Sequence, residues 1–282
     1  MIARWSPRAA LALLALISGI AAPRAAAEAR ELRVCADPNN MPFSNDRQEG
    51  FENKIVAVIA QELDATVSYV WWAQRRGYVR NTLKAQSCEL WPGVATGVNT
   101  MTTTRPYYRS SYMFVSRTGD HLDIVSFDDP KLRDLTVGVQ MIGSDATNTP
   151  PAHALARRGI TRNVRGFMLY GDYTRPNPPA AIVGAVATKA VDIAIVWGPL
   201  AGYFAAQSAV PLTLAPVPEA PDGPIWPMSF DISMGVGKGD VALKDELDRA
   251  LDREKRKIDA ILDSYYVPRD SPPSPMAIRA AP

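Results

Sequence analysis

Two periods of hydrophobic spacing take turns along the first part of the chain, and their alternation predicts the order of its elements. Residues 32–36, Leu-Arg-Val-Cys-Ala, read as a strand, and the polar run 37–42, with Pro38 and Pro42, reads as a turn. Phe51, Ile55, Val58, Ile59 and Leu63 then recur at the spacing of one helix face. β-Branched and aromatic residues crowd positions 66–72, a helix is predicted over 78–86, and a short strand over 90–94 is interrupted by Pro92-Gly93. This β-α-β-α-β order argues for a parallel sheet whose ligands gather beyond the carboxyl ends of its strands.

A second unit begins after Val115. Arg117-Thr118-Gly119-Asp120 breaks the pattern, and residues 135–140 predict a new strand leading into Met141-Ile142-Gly143-Ser144-Asp145. Thr149 is placed to cap a helix with Pro150 in its first position, and Gly159 lies where that helix would stop. A short helix over 182–189 and a buried-type strand over 191–197 follow, ending in Trp197-Gly198-Pro199. Five prolines and one glycine between 216 and 227 mark a rigid crossover. Residues 229–236 return to strand, and over 241–265 Leu243, Leu247, Leu251, Ile258, Ile261 and Leu262 face inward from an otherwise charged, solvated helix. From Arg269 onward, Ser-Pro-Pro-Ser-Pro predicts a loose tail.

The first 27 residues carry Arg4 and Arg8, an apolar run over 9–22, and Ala25-Ala26-Ala27, which together read as a secretory signal. The run falls short of the roughly 20 apolar residues of a membrane span, and no other segment approaches that length. Cys35 follows Leu32-Arg33-Val34, without the small residues that a lipid-anchor signal places there. Removing the signal takes Arg4, Arg8 and Arg24 and no acid, so the formal charge falls by three from +2 to −1. The basic balance therefore belongs to the signal, and gives no argument for nucleic acid or membrane binding. About 255 residues remain, more than one hydrophobic core usually serves, so two domains are expected.

Polar chemistry concentrates in residues 102–115, Thr-Thr-Thr-Arg-Pro-Tyr-Tyr-Arg-Ser-Ser-Tyr-Met-Phe-Val. Hydroxyls, guanidinium groups and phenols stand there directly ahead of a strand-like run, which suits a binding edge or a solvated loop leading into a core strand. Cys35 and Cys88 sit in an exported chain, where disulfides persist. If bonded, they close a loop of 53 residues, for which chain entropy suggests about 4 kcal/mol. His121 and His153 offer no metal-ligand spacing, and the acid pair Asp128-Asp129 lacks that of an oxygen-ligand loop. There is no Gly-x-Ser-x-Gly elbow, no His-Glu-x-x-His and no phosphate-binding glycine loop, which argues against an enzyme, a metal or a cofactor.

Leu32-Arg33-Val34-Cys35-Ala36-Asp37, Met41-Pro42-Phe43-Ser44, Gly50-Phe51-Glu52, Val191-Asp192-Ile193-Ala194 and the run from Met234 to Asp240 resemble the periplasmic solute-binding proteins of the polar amino acid type. Three longer runs resemble one branch more specifically, the methanol-dehydrogenase-associated MxaJ/XoxJ group encoded beside quinoprotein dehydrogenases. They are Trp71-Trp72-Ala73-Gln74-Arg75-Arg76-Gly77-Tyr78-Val79-Arg80-Asn81-Thr82-Leu83, Cys88-Glu89-Leu90-Trp91-Pro92-Gly93-Val94 and Thr104-Arg105-Pro106-Tyr107-Tyr108-Arg109-Ser110-Ser111-Tyr112.

The resemblance implies an α/β, two-lobed periplasmic binding protein fold of type II, each lobe a parallel-rich sheet with flanking helices. The expected plan is a signal peptide over 1–27, lobe I over 28–117 and 225–268, lobe II over 118–215, a crossover over 216–224 and a flexible tail over 269–282. It also implies a periplasmic location, a Cys35–Cys88 disulfide between neighbouring strands, and a role in maturing or activating a quinoprotein (PQQ) methanol dehydrogenase. The alternative is the solute receptor of an ABC importer for a small, non-amino-acid ligand. Relatives that bind amino acids place an ammonium-gripping acid where this chain reads Ile195-Val196-Trp197-Gly198, and many place an aspartate at Asn53. Arg105 also abuts Pro106 directly, unlike the carboxylate-binding arginine of that family. The cleft is expected instead to be aromatic and basic, lined by Asn40, Phe43, Trp72, Arg75, Arg76, Tyr78, Trp91, Thr104, Arg105, Tyr107, Ser144 and Trp197.

Overall fold

The computed structural model describes Met1, residues 30–141, 148–170, 173–219, 221–223 and 225–269, and the backbone of 276–278. The expected signal peptide lies outside the described residues. The chain opens with β1 (Arg30–Ala36), a small hairpin of β2 (Asn39–Asn40) and β3 (Ser44–Asn45), α1 (Phe51–Glu62) and β4 (Ala65–Trp71). β1 and β4 run parallel in full register, from Arg30 opposite Ala65 to Ala36 opposite Trp71. α1 buries Phe51, Ile55, Val56 and Ile59, so Val56 completes the face on which the spacing had placed Val58.

The helix predicted over 78–86 stops early, as α2 (Tyr78–Asn81). Thr82 turns its hydroxyl back to donate to the Tyr78 carbonyl at 2.6 Å and leaves helical backbone angles there. Such a local bond offers the backbone an alternative to helix. β5 (Leu90–Ala95) is continuous through Pro92-Gly93 and lies between β1 and a later strand. Lobe I ends with β6 (Thr102–Thr103) and the first half of β7 (Tyr108–Arg117).

β7 enters the second lobe, which adds β8 (Val137–Gln140), α3 (Pro150–Arg157), β9 (Val164–Phe167), α4 (Ala180–Ala187), β10 (Ile193–Trp197), α5 (Gly198–Ala206) and β11 (Leu212–Pro216). The chain returns through β12 (Ser229–Val236) to α6 (Val241–Arg253) and α7 (Lys255–Ser264), two helices meeting at Glu254 where one was predicted. β13 (Met276–Ile278) pairs with β11 inside the segment read from sequence as a loose tail. β9, α5 and β11 are further additions to the predicted order.

Two strands carry the chain between the lobes. Tyr108 to Ser111 of β7 pair antiparallel with Ser229 to Ile232 of β12, and from Tyr112 onward β7 pairs instead with β10 and β11. The sheet order β4-β1-β5-β12-β7-β10-β8-β9 therefore passes through this pair without a break. The principal core is equally continuous, running from Leu32, Phe51 and Ile55 under β7 to Ile182, Leu200 and Leu212. A second core covers the other face of lobe II around Phe114, Phe127 and Ile193.

Behind the hinge, Tyr265 at the end of α7 packs on Phe51 of α1 at 5.9 Å and stacks on Tyr203 of α5 at 5.6 Å. Gly202 lets the chain beyond α7 lie directly on α5: a Cβ at that position would stand 1.9 Å from the Tyr266 carbonyl oxygen.

A third, smaller core surrounds the Cys35–Cys88 disulfide, which joins the end of β1 to the start of β5 across a Cα separation of 5.4 Å. Thiol titration of the unfolded, unreduced protein should find no reactive thiol. Replacing both cysteines by Ala should lower the unfolding free energy by about 2–4 kcal/mol, since the closed loop constrains the unfolded chain. Two titratable thiols per chain, or an unchanged denaturation midpoint in the variant, would contradict the assignment.

Candidate functional site: the interlobe cleft

Strand ends of the two lobes face one another across the hinge. The chain leaving β4 supplies Gln74, Arg75 and Arg76, the ends of β8, β9 and β10 supply Gln140, Met168 to Tyr170 and Trp197, and the hinge supplies Tyr112, Phe230 and Ile232. They enclose a cavity of about 520 Å³. Trp197 is part of its wall, 5.3 Å from Tyr112 and 5.8 Å from Phe230, each edge to face. Those separations are the ones ring quadrupoles favour. Burial raises the Tyr112 and Tyr170 phenols above their ordinary range, with Gln140 opposing the shift at Tyr170 through a side-chain hydrogen bond.

Buried polar groups fix the lobe I rim. Asp37 Oδ1 accepts from the Asn39 N–H at 2.9 Å and Oδ2 from the Gln74 N–H at 2.6 Å. Desolvation raises this carboxyl, while the two backbone hydrogen bonds and the nearby charge of Arg75 pull it back. Asn40 Nδ2 donates to Gln74 Oε1 at 2.7 Å, fastening the loop after β4 to the loop after β1. Between the lobes, Asn39 Nδ2 donates to the Arg175 carbonyl at 2.8 Å, and Asn39 Oδ1 accepts the Asn177 N–H at 3.3 Å.

A smaller chamber of about 130 Å³ adjoins the main cavity, with Gln74, Tyr170, Trp197 and Ile232 common to both. Its own wall is Phe43, Glu52, Gly93 and Tyr108. Glu52 comes from the first turn of α1 and is 7% exposed. Its carboxyl has no hydrogen-bond partner among the described residues, and loss of water pushes it up to about 8. Gly93 makes the room: a Cβ there would stand 2.0 Å from Glu52 Oε1.

The structure brings Arg75, Arg76 and Trp197 to the main cavity and Phe43 with Trp197 to the chamber. Asn40 stands behind them, acting through Gln74. Trp72 lies past the end of β4 and is 39% exposed. Tyr78 and Trp91 pack on each other at 4.8 Å over the disulfide core. Thr104 is buried, and its hydroxyl accepts the Met234 N–H at 3.0 Å, so it ties the chain to β12. Arg105 turns to α6, bonding Asp252 at 2.5 Å and, through its N–H, Asp248 at 2.7 Å. Tyr107 donates to the Pro92 carbonyl at 2.8 Å. Ser144 lies outside the described residues. Asn53 caps its own helix start by accepting the Gly50 N–H at 3.1 Å.

The cleft expected from the sequence does not include Gln74, Tyr112, Gln140, Tyr170, Phe230 or Glu52. A usable signal existed for Gln140 and Tyr170, which stand at or just beyond strand ends. Tyr112 and Phe230 become site residues only through the pairing of β7 with β12. Among the described residues, no cluster of His, Cys, Asp and Glu could hold a metal ion, and no helix is long and apolar enough to cross a membrane.

No protein-family model matches the chain. It is 34% identical over 263 residues to the protein MoxJ of Methylorubrum extorquens, covering 88% of this chain and 84% of that protein. In structure it is similar to MxaJ of Methlophaga aminisulfidivorans, with a TM-score of 0.72 at 29% identity over 84% of this chain and 99% of that one. It is also similar to the periplasmic binding protein XoxJ of Methylobacterium extorquens, with a TM-score of 0.69 at 36% identity over 86% and 100%.

The buried acid makes a prediction about pH. Glu52 ionises near 4.5 in an unfolded chain and near 8 in the fold. The stability of its neutral form is therefore complete below pH 4.5 and is lost as pH rises towards 8, by at most about 1.4 kcal/mol per unit. Thermal unfolding from pH 5 to 8 should show the native protein losing ground to Glu52→Gln at each step, with the gap level above about pH 8. A gap constant from pH 5 would mean that Glu52 is ionised in the fold.

Proposed function

The chain belongs to the MoxJ family of periplasmic binding proteins, and we propose that it acts in the periplasm as an accessory protein that helps mature or activate a quinoprotein methanol dehydrogenase. The observation carrying this reading is that the likeness to MoxJ runs through both lobes and the hinge. The runs 71–83, 88–94 and 104–112, which resemble the dehydrogenase-associated branch, support it.

The site adds chemistry consistent with a protein partner. Exposed Arg75 and Arg76 flank an aromatic wall, and arginines and aromatic rings are enriched at interface cores. Trp197 occupies the region in which relatives place an acid for a ligand's α-ammonium group, and a ring face cannot replace that carboxylate for a free amino acid. A second reading, solute receptor of an importer, draws on the cavity itself, whose volume of about 520 Å³ lies within the range of small-molecule sites.

Deleting the gene should lower methanol dehydrogenase activity in cells, and wild-type protein supplied in trans should restore it. The double variant Arg75→Ala, Arg76→Ala should restore it poorly while remaining folded and exported. An interface arginine is worth about 2 kcal/mol, roughly thirtyfold in affinity. Affinity capture from the periplasm should retain the dehydrogenase. Normal dehydrogenase activity after deletion, with loss of uptake of a solute, would overturn the accessory reading in favour of the receptor.

A further inference from the structure

The chamber around Glu52 has features the family likeness does not explain. A carboxyl that is 7% exposed, faces open volume and lacks a hydrogen-bond partner among the described residues is costly. Loss of water without a compensating partner favours the neutral carboxyl over the charged one. Gly93 admits the carboxyl to the chamber wall, since Glu52 Oε1 lies where a Cβ would stand.

Four rings from separate parts of the chain share that space: Phe43 from the turn between β2 and β3, Tyr108 from β7, Tyr170 from beyond β9 and Trp197 from the end of β10. The titratable groups that feel Glu52 are the phenols Tyr69, Tyr78, Tyr107, Tyr108 and Tyr170, all held above their ordinary range by burial and so uncharged at neutral pH. Among the described residues, no lysine, arginine or histidine lines the chamber. An anion would find no counter-charge there. A neutral ligand would satisfy the carboxyl yet leave the negative ring faces without an electrostatic partner, whereas a cation satisfies both.

We infer that this chamber is a binding site for a small organic monocation of the primary alkylammonium class, its nitrogen on the Glu52 carboxylate and its short chain against Phe43, Tyr108, Tyr170 and Trp197. The volume of about 130 Å³ limits the chain to a few carbons. The carboxylate of an amino acid would meet no cation at this depth. The inference rests on reading the cleft as a binding site, and not on the dehydrogenase, so the two proposals fail separately.

Isothermal titration calorimetry on the purified protein tests it, with n-propylammonium chloride as the cation and 1-propanol as its neutral counterpart. The cation should bind saturably, and 1-propanol at least tenfold more weakly. Glu52 must lose its proton first, and with its ionisation at about 8 the affinity at pH 6 should be about a hundredfold below that at pH 9. Titrations in buffers of different ionisation enthalpy should register close to one proton released per cation at pH 6.

Glu52→Gln should abolish binding with an unchanged circular dichroism spectrum and thermal transition no lower than the native one at pH 8. Trp197→Leu, which keeps the carboxyl, should weaken binding severalfold and preserve its pH dependence. No binding of the cation at pH 9, equal binding of 1-propanol, or retained binding by Glu52→Gln would each overturn the inference. A dehydrogenase defect in the deletion strain has no bearing on these outcomes.

Discussion

Everything else in this molecule depends on a four-residue antiparallel pairing, Tyr108 to Ser111 against Ser229 to Ile232. It is where the chain leaves one lobe and where it comes back. Because β7 changes partners at Tyr112, the same strand closes the lobe I sheet and opens that of lobe II. The pairing also fixes where the cleft can be, since Phe230 and Ile232 within it and Tyr112 directly after it line the cavity. The run rich in hydroxyls, guanidiniums and phenols is spent largely on holding this junction. Thr104 ties to β12, Arg105 to α6, Arg109 to Asp231 and Glu219, and Ser110 to the Pro268 carbonyl.

Lobe I was legible in the sequence because its elements alternate between two hydrophobic periods. α1 shows a clean apolar stripe, and β1 and β4 are bounded by turn residues. Lobe II was less so. α5 is buried on nearly every side, so it carries no polar face to reveal a helical period. β9 is short and half exposed, and β11 ends in a proline. Glu254 interrupts α6 and α7 without a glycine or proline to announce it.

The site was partly legible for the same kind of reason. Trp197 ends a strand and Arg75 and Arg76 lie in the loop after one, where open α/β sheets collect ligands. Arg105 and Tyr107 belong to a polar run of the same appearance, and only tertiary pairing sends them to α6 and to Pro92. Glu52 was the hardest to read. An acid in the first turn of a helix is the ordinary complement to the helix dipole and normally faces water. Its surroundings come from Phe43, Tyr108 and Trp197, a convergence of distant segments that no local pattern encodes.

The packing behind the hinge bears on how the two halves can move. A junction of two strands alone leaves a pair of bodies free to bend and also to twist. Here Tyr265 stands between Phe51 of one lobe and Tyr203 of the other, and Gly202 admits the following backbone against α5. That tether lies off the strand pair and joins an edge-on ring contact in one lobe to a stacked one in the other. A third attachment off the line of the two strands opposes twisting of one lobe against the other more than the strands alone would.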